Sequence, residues 1–132
     1  MIVSEKKIKI SSPAEIAFNA TKIINEPLQE HFLIFGLNNK NVVQYIDLAS
    51  LGTVSETIVH PREIFRESIK RSCSAIIVAH NHPSGVLTPS REDITTTRRL
   101  VDAGKLLGVP VLDHVIIGDG FLSMKEEGYI NV

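Results

Sequence analysis

The chain holds one cysteine, Cys73, and no tryptophan among its 132 residues. A lone thiol excludes a disulfide framework and any thiolate-rich zinc finger, so a metal here must be held by histidine and carboxylate. Charge of neither sign prevails: 14 Lys and Arg stand against 15 Asp and Glu, a net charge of −1. That balance gives no overall field drawing the molecule to nucleic acid or an anionic membrane. Aromatics make up only 5%, too few for a platform that stacks successive bases. No apolar run approaches the roughly 18 residues of a membrane helix. The opening, Met1-Ile2-Val3-Ser4-Glu5-Lys6-Lys7, is charged and has no long apolar core. The expectation is therefore a cytoplasmic protein without a signal peptide or membrane segment. Repeats, linkers and low-complexity stretches are missing too, which predicts one domain over 1–132.

What is present is an ordinary globular composition, 43% apolar and 22% charged, in a chain long enough to bury a core without staples. Ile8-Lys9-Ile10 alternates as a short strand does. Ser12-Pro13-Ala14-Glu15 opens a helix, with serine at the cap, proline at the first turn and glutamate spaced for a capping box. Pro27 stops it. His31–Leu37 is too apolar for a strand with one wet face, and the turn cluster Asn38-Asn39-Lys40-Asn41 makes a hairpin with Val42–Leu48. Thr57-Ile58-Val59 is extended, and His60-Pro61 starts a helix running through Ile64, Phe65, Ile69 and Cys73. Ala75–Ala79 is a buried strand, Ser90 caps a helix that Gly108 ends, and Val109–Ile117 and Phe121–Ser123 complete the strands. Helices interspersed with strands, plus an early hairpin, predict an α/β three-layer sandwich: a mixed central sheet flanked by helices.

The chemistry concentrates where the Ala75–Ala79 strand ends, at His80-Asn81-His82-Pro83-Ser84-Gly85, followed by Ser90-Arg91-Glu92-Asp93. Side chains alternate along a strand, so His80 and His82 share a face if the strand extends that far. The carboxyl ends of strands are where α/β sheets carry their sites. Asp93 falls in the first turn of the next helix, from which a carboxylate reaches back over the strand end. Two imidazoles and one carboxylate are the three ligands of a catalytic zinc with an open fourth position. Each residue also has a plainer role: His-x-His alone is a weak signal, and Ser90 with Asp93 has capping-box spacing.

His80-x-His82-x(10)-Asp93, with Ser90 three residues before the aspartate, resembles the JAMM (MPN+) metalloprotease motif. The strings His80-Asn81-His82-Pro83-Ser84-Gly85, Val59-His60-Pro61-Arg62-Glu63-Ile64-Phe65 and Leu112-Asp113-His114-Val115-Ile116-Ile117-Gly118 resemble its bacterial RadC branch, over about residues 25 to 130. Asn81 departs from the JAMM pattern, which has Ser or Thr between the histidines, and agrees with RadC-like proteins. Longer RadC proteins carry a helix-hairpin-helix segment before this domain, and none is expected here. The resemblance implies a JAB/MPN, cytidine-deaminase-like architecture and Zn2+ held by His80, His82 and Asp93 with a water. It implies an upstream glutamate as general base, by position Glu30, with Glu26 and Glu56 competing. It gives Ser90 the role of oxyanion stabiliser, compatible with capping. The function implied is a zinc metallopeptidase or isopeptidase acting on a peptide or protein substrate. Its rivals are a nucleic-acid-binding module of DNA repair, suggested only by the family's naming, and a metal-binding scaffold without activity. A homodimer is compatible with the apolar first strand.

Other residues read as structural. His114 is expected to be a buried, hydrogen-bonded histidine on the face opposite Asp113. His60 marks a helix start, and His31 faces away from Glu30. Cys73 is a small buried thiol, and Arg91, Arg98, Arg99 and Lys105 form a solvated helix face.

Overall fold

The computed structural model describes residues 7–25, 27–51 and 59–132. Helix α1 (Pro13–Ile23) comes first, followed by a hairpin of β1 (His31–Leu37) and β2 (Val43–Leu51). Then come α2 (Pro61–Lys70), β3 (Ala75–Asn81), α3 (Arg91–Leu107), β4 (Val111–Gly118) and β5 (Gly120–Ser123). The sheet order is β2-β1-β3-β4-β5. Only β3 and β4 run parallel, joined by the crossover helix α3; the other neighbours are antiparallel. This is the mixed, helix-flanked sheet that the pattern of elements predicts.

Period-two alternation splits the apolar residues between two cores. Phe32, Ile34, Tyr45, Ile76, Val78 and Ile116 face α2 and α3, where they meet Ile64, Phe65, Leu100 and Val101. Leu33, Phe35, Ile77, Ala79, Val115 and Ile117 face the other way and are covered by Ile16, Ala17 and Ala20 of α1. β1 and β3 are buried along their whole length, because each has a strand on both sides and helices on both faces. Three layers result.

Several local expectations need correction. Ile8-Lys9-Ile10 is not a full strand; Lys9 makes one bridge to Val42 before the chain turns into α1. Ser12 caps α1 without a side-chain cap bond, because Glu15 accepts instead from the Ser11 amide at 3.2 Å. α2 ends at Lys70, short of Cys73. The β3 strand runs through Asn81 rather than stopping at Ala79. The extended reading of Thr57-Ile58 and the competing acids Glu26 and Glu56 lie outside the described residues.

Candidate metal centre

Extension of β3 by two residues brings His80 onto the α3 side of the sheet, stacked near Phe32 with ring centroids 6.1 Å apart. His82 follows one step beyond the strand, its amide donating to the Ile117 carbonyl at 2.8 Å, so the backbone course persists. α3 begins with a complete capping box. The Ser90 hydroxyl accepts from the Asp93 amide at 3.0 Å, and the Asp93 Oδ2 accepts from the Ser90 amide at 2.8 Å. The cap aims Asp93 back across the strand end. One ligand atom from each of His80, His82 and Asp93 lies within 4.8 Å of the other two. His80 Nε2 stands 3.3 Å from Asp93 Oδ1, and His82 Nε2 stands 3.1 Å from Asp93 Oδ2.

The outer hydrogen bonds decide which ring nitrogens carry protons. His82 Nδ1 meets the Val86 carbonyl at 2.7 Å; a carbonyl only accepts, so Nδ1 holds the hydrogen and Nε2 of the neutral ring presents its lone pair. His80 is fixed through a longer chain. The Thr97 hydroxyl donates its one proton to the Asp93 carbonyl at 2.6 Å. Its oxygen therefore accepts from His114 Nδ1, also at 2.6 Å. Burial, reinforced by the neighbouring His80, holds His114 well below the usual imidazole range. It is neutral, so its Nε2 accepts from His80 Nδ1 at 2.7 Å. His80 Nε2 is left bare as well. Two lone pairs and a carboxylate thus face one another in a largely buried space, a donor set that could hold a metal ion.

The hydrogen bond with Asp93 raises the His82 pKa above its ordinary value, against the opposing effect of burial. Burial on its own would raise Asp93, but the imidazoles of His80 and His82 beside it outweigh that effect and hold the carboxyl far below the usual carboxylate range.

Glu30 is half-buried immediately before β1, and its charge contributes to the raised His82 pKa, which puts the carboxylate within electrostatic reach of the ligands. Ser90 is exposed and keeps its hydroxyl proton, since the cap uses the oxygen only as acceptor. His114 is a buried, hydrogen-bonded histidine, as its sequence context predicts, and its partner is the candidate ligand His80. The available signal was parity. His114 pairs with Val78, two residues before His80 and on the same face. Asp113 points to the opposite side, as alternation requires, where it accepts from the Ser123 hydroxyl at 2.5 Å. The basic residues Arg91, Arg98, Arg99 and Lys105 are exposed, as expected. A groove of about 840 Å³ adjoins His82, with apolar walls from Phe18 and Ile24 on one side and Ile117 and Phe121 on the other.

A His-His-Asp donor group at the end of a central strand, in an α/β sandwich with a mixed sheet, places the molecule in the class of JAB/MPN-fold domains with a candidate metal site. The chain belongs to the RadC-like JAB domain family, whose model matches residues 10–129. It is 48% identical over 128 residues to a UPF0758 protein of Staphylococcus haemolyticus, covering 96% of this chain and 56% of that protein. A UPF0758 protein of Methanosarcina mazei is 44% identical over 129 residues, 97% of this chain and 56% of the relative. One from Geobacillus kaustophilus is 53% identical over 103 residues, 77% of this chain and 46% of the relative. The chain spans about half the length of the curated relatives it matches. Among the described residues no helix is long and apolar enough to cross a membrane.

Proposed function

We propose that this domain is a zinc-dependent hydrolase of peptide or isopeptide bonds, with His80, His82 and Asp93 as ligands and Glu30 as general base. One observation carries the reading: both imidazoles spend their outer nitrogens as donors, to Val86 and to His114, so both inner lone pairs converge on Asp93. Two nitrogens and one carboxylate oxygen fit a catalytic zinc, which keeps three protein ligands and one open position. When bound, the ion supplies Lewis acidity, acidifying water and polarising a carbonyl.

The chain's own groups supply the rest. Glu30 takes a proton from the attacking water as its oxygen bonds to the carbonyl carbon. Ser90, whose hydroxyl proton is free of the cap, donates to the oxyanion that forms. Glu30 then returns the proton to the departing amine as the carbon–nitrogen bond breaks, so the net change is addition of one water. His114 and Thr97 hold His80 in its ligating tautomer throughout. The apolar groove beside His82 suits an extended segment of a peptide or protein substrate.

The test is cleavage of a quenched-fluorescence library of random peptides by the zinc-loaded protein. Glu30→Gln is expected to keep zinc and lose cleavage, whereas Asp93→Ala loses both. Cleavage that survives Glu30→Gln would remove the base from the scheme.

A further inference from the structure

Asn81, between the two imidazole ligands, is buried at 5% exposure, and its side chain turns away from the metal centre. Its Oδ1 accepts from the His31 amide at 2.6 Å. Its Nδ2 donates to the Gln29 carbonyl at 2.8 Å and to the Pro27 carbonyl at 3.2 Å. The backbone donor at His31 and the acceptors at Pro27 and Gln29 leave only one orientation of the amide. Pairing between β1 and β3 ends at Phe32 and His80, so beyond that point this one side chain replaces the sheet ladder. The residue bracketed by the tied groups is Glu30.

We propose that Asn81 is a positioning residue: by tying the peptides on either side of Glu30 to the end of β3, it sets where the Glu30 carboxylate stands relative to His80 and His82. The inference rests on the hydrolase reading for the use made of Glu30, although the tether itself does not. It also gives a reason for asparagine at this position. A serine or threonine hydroxyl has one proton and cannot donate to two carbonyls while accepting from an amide. Because the tether springs from the strand that carries both ligands, ligand placement and base placement share one rigid element.

The experiment compares Asn81→Ser and Asn81→Asp with wild type in zinc stoichiometry, thermal melting, amide exchange at His31 and cleavage of the random-peptide library. Asn81→Ser should bind zinc normally, exchange the His31 amide about tenfold faster, and lose about a hundredfold in kcat with KM little changed. Asn81→Asp keeps an acceptor for the His31 amide but loses both donors; it should retain that protection and still lose rate. In a Glu30→Gln background Asn81→Ser should cause no further loss, since both changes act through one group. Unchanged His31 exchange in Asn81→Ser, loss of zinc with a normal melt, or an additive effect on top of Glu30→Gln each overturn the proposal. A wild-type protein that cleaves nothing sinks the hydrolase reading instead, and faster His31 exchange with zinc retained then still supports the tether.

Discussion

The Thr97 hydroxyl bonds the backbone of Asp93 and the ring of His114, and through that chain it selects the His80 tautomer. Thr97→Val keeps the volume and removes the donation to the Asp93 carbonyl and the acceptance from His114 Nδ1. His114 is 1% exposed, so water cannot replace the lost acceptor, and an unpaired buried N–H costs about 1–3 kcal/mol. The metal-free variant escapes by moving the proton of His114 to Nε2, where it donates to His80 Nδ1. His80 must then carry its own proton on Nε2, pointing at Asp93 Oδ1 across the 3.3 Å gap. That tautomer satisfies the metal-free protein and obstructs the ion. Zinc binding has to reverse it and leave His114 Nδ1–H unpaired, so the affinity should fall about 10–100-fold while metal-free stability changes little. Chelator-competition titration measures the affinity, and imidazole nitrogen NMR reads the tautomers of His80 and His114. Wild-type zinc affinity in Thr97→Val, with His80 still protonated at Nδ1, would refute the reasoning.

Three further outcomes follow from the geometry. A Cβ at Gly118 would stand 2.5 Å from the Gly85 carbonyl oxygen, and backbone cannot swing aside as a side chain can. Gly118→Ala should therefore displace the loop that carries Val86, the acceptor for His82, and weaken zinc binding about tenfold or more in chelator titration. At Gly36 a Cβ would fall 2.0 Å from the buried Tyr45 ring. Gly36→Ala should cost about 1–3 kcal/mol in denaturant unfolding, and the second change Tyr45→Val should restore part of it. Metal-free stability should decline on both sides of a middle range of pH. The folded-state pKa of His82 is raised above 6.5, so its contribution is fully present below that value and is lost as pH rises through the raised pKa. Asp93 is depressed below 3.8, so its contribution is present above that value and is lost as pH falls towards the lowered pKa. Zinc affinity should move the opposite way on the alkaline side, rising as His82 gives up its proton; thermal melts in chelator, beside titrations with zinc, check both limbs.

The clustering of His80, His82 and Asp93 was legible in the sequence because it obeys local rules. His80 and His82 share a strand face by period-two alternation, and Asp93 is aimed by the same capping box that starts α3. The alternation of Asp113 and His114 was legible for the same reason. The partnership of His114 with His80 was not, because it depends on the parallel register of β3 on β4 across 34 residues of separation. The tie from Asn81 to Gln29 and His31 spans 52 and 50 residues. No spacing rule announces such a bond, and its role emerges only where the sheet ladder stops. The capping box expected at Ser12 and Glu15 failed because Ser11 offered Glu15 a nearer partner, a competition that identical spacing at Ser90 and Asp93 did not face.

The central claim is that one divalent ion sits among His80, His82 and Asp93. Anomalous diffraction from crystals grown with equimolar Zn2+ tests it most directly. The account predicts a single strong zinc peak per chain, about 2.0–2.1 Å from Nε2 of both histidines, with Nδ1 of His82 still on the Val86 carbonyl. A peak elsewhere, or no peak with those three side chains in place, would contradict it.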